Sequence, residues 1–192
     1  FQKSDSPEAY EKALNTEDNH LNNLDLNGDG DIDYIKVISK KEGDIQLIIL
    51  QVPISENEDQ DIAVIEIEKK GKDNAILQII GDEDIYGEEV IVEPFDGDDD
   101  GKQSRGPAYS GSSTSIVVNV WAWPCVRFVY APGYRPWISP WRFRVYPTWW
   151  RPWRPLGWAV WHPLRTRHFH HSHVRVVHTH RVVTAHRFYK PA

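Results

Sequence analysis

Residues 45–52 read IQLIILQV, and this stretch decides the fold. Six of its eight positions are Ile, Leu or Val, and only Gln46 and Gln51 interrupt the run. A strand that faces water on one side alternates apolar and polar residues, whereas a strand inside a sheet is apolar on both faces. The stretch therefore predicts a central strand.

Strand-like segments surround this run. Residues 34–38 are rich in β-branched side chains, residues 62–67 alternate apolar and polar positions, and residues 75–80 are again apolar. Residues 89–92 read as a last short strand, which Pro94 ends. Short turns rich in Lys, Gly and Asp separate these segments, so the order predicts an antiparallel meander of four or five strands.

A short helix precedes the strands. Ser6 suits the N-cap, Pro7 the first helical position, and Glu8 the positive end of the helix dipole. Apolar residues then recur at helical spacing as far as Leu14. We therefore predict an α+β fold in which residues 1–95 form an acidic domain, with the helix packed on one face of the sheet.

Charge divides the chain into two halves. Residues 1–102 contain all 28 acidic residues and nine of the 22 basic ones, so their net charge is −19, whereas residues 103–192 carry +13. All nine Trp also lie in the second half. This asymmetry is typical of a folded domain beside an interaction segment. We predict a flexible linker at 96–115 and a basic segment rich in Trp, Pro, Arg and His at 116–192, which begins with a strand at 116–121.

Residues 25–33, DLNGDGDID, form the most specific motif of the chain. Side chains with oxygen atoms occupy loop positions 1, 3, 5, 7 and 9, and Gly30 permits the sharp turn. Ca²⁺ takes about six to eight hard oxygen ligands, so this density predicts a structural calcium site. The loop is not an EF-hand, because Lys36 stands where the bidentate Glu would be and a strand follows. The alternative is an acidic turn that binds no metal.

The loop resembles the DxNGDGxxD loops of FG-GAP and integrin-type propeller repeats, and also those of dockerin-like calcium modules. Only one copy is present, so no propeller is implied. The resemblance implies that Asp31 binds calcium through its backbone carbonyl, and that the side-chain ligands are Asp25, Asn27, Asp29 and Asp33.

Between Pro124 and Pro163 the chain interleaves Pro, Trp and Arg. Proline at this density excludes long helices and central strands, so we expect an extended segment with little regular structure. Trp and Arg dominate the hot spots of protein interfaces, which indicates a partner-binding surface. The residues assigned to this surface are Trp137, Trp141, Trp149, Trp150, Trp153, Arg135, Arg142, Arg151 and Arg154.

The sequence leaves four alternatives for what this surface contacts. An envelope protein complex ranks first, and an anionic membrane or glycolipid surface is an alternative, because Trp favours the headgroup zone of a bilayer. Nucleic acid ranks last, because the acidic half would repel it. In the fourth alternative the segment folds back on the acidic half of its own chain.

The C-terminal end has a β-like pattern of Val residues and a high density of His. Paired imidazoles in an extended strand bind Zn²⁺ or Cu²⁺, and the alternative is a strand that gains charge below a pH of roughly 6.5. The candidate transition-metal ligands are His168, His170, His171, His173, His178 and His180.

Several classes of protein are excluded at this point. Cys125 is the only cysteine, so no intrachain disulfide forms. No apolar run approaches the roughly 18–20 residues of a membrane-spanning helix. No catalytic constellation is present, so we expect no enzyme.

The chain begins with Phe1 where Met would stand, and removal of an export signal is one explanation.

Two segments, LDLNGDGDIDYI at 24–35 and DIAVIEIE at 61–68, lie between a short helix and an aromatic tail. This order resembles a group of exported proteins of Gram-negative bacteria. The resemblance implies export to the periplasm or the outer-membrane surface, and it brings no activity with it. We expect a non-enzymatic, calcium-binding cell-envelope protein whose basic aromatic tail docks onto an outer-membrane-associated protein assembly. A periplasmic transition-metal-binding protein and a membrane- or glycolipid-surface binder are the alternatives.

Overall fold

A computed structural model describes residues 1–83, 90–95, 117–164, 174–183, 185 and 189. Residues 158–164 are helical. The named helices and strands within the described ranges are α1 (Pro7–Leu14), a 3₁₀ turn (Glu17–Asn19), β1 (Lys36–Glu42), β2 (Ile45–Ser55), β3 (Glu58–Gly71), β4 (Asn74–Gly81), β5 (Val90–Pro94), α2 (Pro124–Val129) and β6 (Val174–Val177).

The strands form one antiparallel sheet in the order β1-β2-β3-β4-β5-β6. The mixed α+β class with a sheet of antiparallel strands is therefore confirmed. β2 lies inside the sheet, as its apolar sequence predicts, and pairs with β1 and β3 along most of its length. A two-residue turn at Gly43 joins β1 to β2, and the positive φ of 57° at this residue suits glycine.

Both faces of β2 are buried, and the period of two along a strand divides its side chains between two hydrophobic clusters. This arrangement explains why residues 45–52 carry almost no polar side chains. The first cluster contains Ile48, Leu50 and Val52, and the second contains Ile45, Leu47 and Ile49.

The first cluster joins the two halves of the chain. Helix α1 contributes Tyr10 and Leu14, as the helical pattern predicts. The basic half contributes Val120, Val126 and Val129, all of them with no exposed surface. Full burial of such a side chain stabilises a fold by about 1.5–3 kcal/mol, so these residues bind the basic half firmly to the sheet.

The second cluster also receives residues from the end of the chain. Val182 and Ala185 are fully buried there, beside Ile91 of β5. Strand β6 pairs with β5 over four residues and so forms one edge of the sheet.

The other edge of the sheet is covered by residues 137–139. Ser39 N–H donates to the carbonyl of Trp137 at 2.7 Å, and Ser139 N–H donates to the carbonyl of Val37 at 3.1 Å. An uncovered edge strand exposes a row of unpaired backbone groups and invites aggregation. The segment therefore shields β1 without forming a regular strand.

The described part of the basic segment thus packs on the acidic half, which is the fourth of the alternatives weighed from the sequence. The strand predicted at 116–121 is wrong for residues 117–120, which have no regular structure. The side chain of Asn119 explains this, because it accepts the N–H of Ala75 and donates to the carbonyl of Asp73. In the described ranges, no helix is long and apolar enough to cross a membrane.

Candidate functional site

The loop at 25–33 is held by its own polar groups. Gly28 and Gly30 have positive φ angles of 74° and 86°, which L side chains rarely adopt. The carboxylate of Asp25 accepts the N–H groups of both glycines, at 2.8 and 3.0 Å. Asn27 Oδ1 accepts Asp29 N–H at 2.8 Å. The side chains that the motif assigns to calcium therefore act here as acceptors for the turn.

Asp33 closes the loop from the inside. It is only 4% exposed, and its carboxylate accepts Leu26 N–H at 2.6 Å and Asn27 Nδ2–H at 2.7 Å. Burial raises the pKa of Asp33, the charges of Asp29 and Asp25 raise it further, and the backbone N–H groups oppose this. An ion between these carboxylates would relieve their repulsion.

The arrangement of the loop does not by itself form a metal centre. Among the described residues, no group of three or more His, Cys, Asp or Glu side chains is placed to hold a metal ion. Each of the side-chain oxygen atoms of Asp25 and Asn27 accepts one N–H and keeps a second lone pair, so these hydrogen bonds are compatible with binding of an ion. The calcium site, including Asp29, Asp31 and Asp33, stays a prediction.

Four of the six predicted histidine ligands lie outside the described residues: His168, His170, His171 and His173. His178 is exposed and His180 is half-buried, both directly after β6. Cys125 lies at the other end of the basic half and is fully buried. Burial raises the pKa of its thiol to about 12, so at neutral pH it is neither a thiolate ligand nor a nucleophile.

The five tryptophans assigned to partner binding have different environments. Trp150 is 3% exposed and packs edge-on against Tyr34, with ring centroids 5.2 Å apart. Trp137, Trp141 and Trp153 are half-buried, and the backbone carbonyl of Trp153 accepts Ile32 N–H at 2.7 Å. Trp149 is 46% exposed. Much of the aromatic surface therefore stabilises the fold.

The four arginines assigned to the same surface are all exposed: Arg135, Arg142, Arg151 and Arg154. In the part of the chain that the structure describes, none of them forms an ion pair. Arg151 is oriented by hydrogen bonds from its guanidinium to the carbonyls of Trp150 and Thr148, at 2.7 and 3.2 Å. These charges lie on the surface of a folded segment, and an anionic partner can reach them.

Glu11 is a functional candidate that the sequence reasoning missed. It is 2% exposed, and it accepts hydrogen bonds from the hydroxyl of Tyr34 at 2.8 Å and from Val37 N–H at 2.9 Å. The basic half adds the indole N–H of Trp137 at 3.2 Å and the hydroxyl of Ser139 at 3.1 Å. A signal was present in the sequence, because Glu11 occupies a position that the apolar stripe of α1 would otherwise fill.

Glu93 is a second buried carboxylate that was missed. Arg175 and Arg181 form ion pairs with it, at 2.6 and 2.7 Å, while its side chain is only 3% exposed. Burial would raise the pKa of Glu93, but the hydrogen bonds and charges of the two arginines together hold it below its ordinary value. No local pattern in the sequence pairs residues more than 80 positions apart.

Comparison with known proteins adds no relative to this description. No protein-family model, no curated protein and no solved structure matches the chain. The resemblance to exported Gram-negative proteins therefore stays a prediction, and function has to be argued from the residues.

Proposed function

We propose that this chain is a non-enzymatic binding protein of the bacterial cell envelope, which docks through its basic half onto an acidic surface of an envelope protein assembly. The observation that supports the proposal is the exposure of Arg135, Arg142, Arg151 and Arg154 without an acidic partner among the described residues. Arginine forms bidentate hydrogen bonds with carboxylates and phosphates, and it is enriched in interface hot spots.

The packing of the tryptophans also supports docking. Trp150 and the half-buried Trp153 hold the segment in place against Tyr34 and Ile32. A segment that is already ordered loses less conformational entropy when it binds than a disordered tail does. The arginines are thus presented from a preorganised surface.

The test is a variant in which Arg135, Arg142, Arg151 and Arg154 are all replaced by Gln. We expect it to lose salt-sensitive binding to a detergent extract of cell envelopes, measured by pull-down at low and moderate ionic strength. A matched control removes four exposed lysines of the acidic half, Lys3, Lys40, Lys41 and Lys72, and should keep the binding. Equal loss in both variants would show nonspecific charge attraction and would contradict the proposal.

Anionic lipid is the alternative partner, and a second arm of the experiment distinguishes it. Vesicles of anionic phospholipid and purified glycolipid replace the extract. Binding of the wild type to vesicles, and its loss in the arginine variant, would favour a membrane-surface binder over a protein-docking one.

The metal predictions remain part of the proposal and need separate tests. Structural calcium at residues 25–33 would stabilise the protein without taking part in docking. Transition-metal binding by the His-rich end has no supporting contact among the described residues.

A further inference from the structure

A cavity of about 340 Å³ lies between helix α1 and the aromatic segment. Pockets for small ligands start at about 300 Å³, so the cavity is large enough for a small ligand or a ligand's head group. Four aromatic side chains and two carboxylates contribute to its wall: Tyr34, Trp137, Trp141, Trp149, Glu8 and Glu11.

Two carboxylates, Glu8 and Glu11, and one cation, Lys12, line the cavity, so the acidic groups outnumber the basic one. Glu11 is buried, and its four hydrogen-bond donors are the neutral groups of Tyr34, Val37, Trp137 and Ser139. No ion pair of Glu11 is present in the described ranges. A buried carboxylate with neutral donors alone keeps a desolvation penalty, which a cation bound nearby would reduce.

One aromatic ring of this cavity, that of Trp149, already contacts a cation. The ammonium group of Lys12, which also lines the cavity, lies 5.5 Å from the centre of the Trp149 ring. This distance is within the range of a cation–π interaction. Among the described residues, no side-chain cation lies over Trp137 or Trp141, so these rings remain available to a ligand.

The hydrogen bonds of Glu11 restrict the kind of cation that fits. Each of its carboxylate oxygens already accepts two donors. A primary ammonium or a guanidinium would bring N–H groups that find no further acceptor on Glu11, so they would depend on the exposed Glu8 or on water. A quaternary ammonium has no N–H group and needs only negative potential and aromatic surface.

We propose that this cavity binds a quaternary ammonium group, with Trp137 and Trp141 in contact with its methyl groups and Glu8 and Glu11 supplying the opposite charge. The site is separate from the proposed docking function of the arginines. The ligand is either a free trimethylammonium compound or a lipid head group that carries the same group.

The test is a calorimetric titration of the wild-type protein with choline, its neutral carbon isostere 3,3-dimethylbutan-1-ol, and ethanolamine. We expect choline to bind with a Kd on the order of 1 mM, and the other two to bind roughly tenfold more weakly or not at all. Equal binding of the isostere would show a merely apolar cavity. Equal binding of ethanolamine would show that any ammonium suffices. Either result would overturn the proposal.

Variants locate the ligand. Trp141→Leu should weaken choline binding roughly tenfold, and Glu8→Gln should weaken it by about threefold. The matched control is Trp158→Leu, because this tryptophan is 67% exposed and packs on His162 outside the cavity. Circular dichroism checks the fold of each variant. Unchanged choline affinity in a folded Trp141→Leu protein would contradict the site.

Two further experiments identify the source of the quaternary ammonium group and separate this site from the proposed docking function. Binding to phosphatidylcholine vesicles that free choline displaces indicates a lipid head group, whereas choline binding without vesicle binding indicates a soluble compound. The variant with four Arg→Gln replacements should keep its choline affinity. Loss of choline binding in that correctly folded variant would show that the two sites are one and would overturn the separate assignment.

Discussion

Two buried carboxylates fasten the basic half to the acidic half, and one has neutral hydrogen-bond donors whereas the other has positively charged ones. Glu11 on α1 receives neutral donors, two of them from residues 137 and 139. Glu93 on β5 receives two arginines, from β6 and from the residues after it. As a consequence, burial keeps the pKa of Glu11 raised, whereas the arginines hold that of Glu93 low.

The difference shows how one residue type can make two kinds of attachment. The Glu93 attachment contains two ion pairs and one neutral donor, the amide of Gln78, so loss of Glu93 removes a counterion from both arginines. The Glu11 attachment is a hydrogen-bond network around one charge. Because its donors are neutral, protonation of Glu11 leaves no charged partner without a counterion. The ionised Glu11 gives negative potential beside the aromatic cavity.

The largest expected effect is that of Glu93→Gln. Arg175 and Arg181 would keep their charges at partly buried positions without the carboxylate of Glu93, so we expect the free energy of unfolding to fall by about 3–5 kcal/mol in urea denaturation. The control is Glu68→Gln, which breaks a pair with the exposed Lys70 and should cost less than about 1 kcal/mol. Similar losses in both variants would show that the buried ion pairs of Glu93 stabilise the fold no more than an exposed ion pair does.

A smaller loss is expected for Glu11→Gln. The amide keeps one acceptor oxygen, but its NH₂ group faces two former donors, and a buried unsatisfied donor costs about 1–3 kcal/mol. We predict a loss of about 2 kcal/mol in the same urea experiment. Glu8→Gln, one turn earlier and exposed, is the control and should be nearly neutral. A loss larger than that of Glu93→Gln would reverse the comparison.

The pH dependence of the two variants should have opposite sign. Because the pKa of Glu93 is lowered, its stabilisation is present above the ordinary value near 4.5 and is lost as the pH falls through the folded-state pKa. Because the pKa of Glu11 is raised, its contribution is largest below that ordinary value and decreases as the pH rises toward the folded-state pKa.

The measurement is the difference in unfolding free energy between wild type and each variant from pH 3 to pH 8. It should grow with rising pH for Glu93→Gln and shrink for Glu11→Gln, each change being smaller than the full effect of the substitution. Slopes of the same sign would mean that both carboxylates have the same electrostatic environment.

The sheet itself was predictable, because its signals are local. The run at 45–52 is apolar on both faces, and a strand in that setting has to lie inside a sheet. Ser6 and Pro7 mark the start of α1, and the Ser6 hydroxyl indeed accepts Ala9 N–H at 3.1 Å. Such features depend on residues only a few positions apart.

The attachments were not predictable, because they join residues far apart in sequence. Ser139 and Glu11 are separated by 128 positions, and Arg181 and Glu93 by 88. Opposite net charge predicts that the halves attract each other, yet it does not say which of 13 basic residues pairs with which carboxylate. The burial of Trp150 was not predictable for the same reason, because it packs on Tyr34, more than 100 positions earlier, as well as on Tyr146.

The smallest expected effect is that of calcium at residues 25–33, a loop that, like Glu11, contacts the basic half. The loop also holds the basic half, because Ile32 N–H donates to the carbonyl of Trp153 at 2.7 Å, and calcium there would strengthen that attachment. Asp29 accepts a hydrogen bond from Asp31 N–H at 2.9 Å in an exposed turn, so Asp29→Ala should cost less than about 1 kcal/mol in chelator.

Calcium at five times its Kd should stabilise the wild type by about 1 kcal/mol and leave Asp29→Ala unchanged, as measured by thermal unfolding in calcium and in EGTA. Equal melting temperatures of the wild type in both buffers would mean that the loop is an acidic turn. A gain confined to the wild type would mean that the loop binds calcium and that Asp29 is one of its ligands. The attachment through residues 25–33 would then depend on calcium, whereas the Glu93 attachment would depend on Arg175, Arg181 and the amide of Gln78.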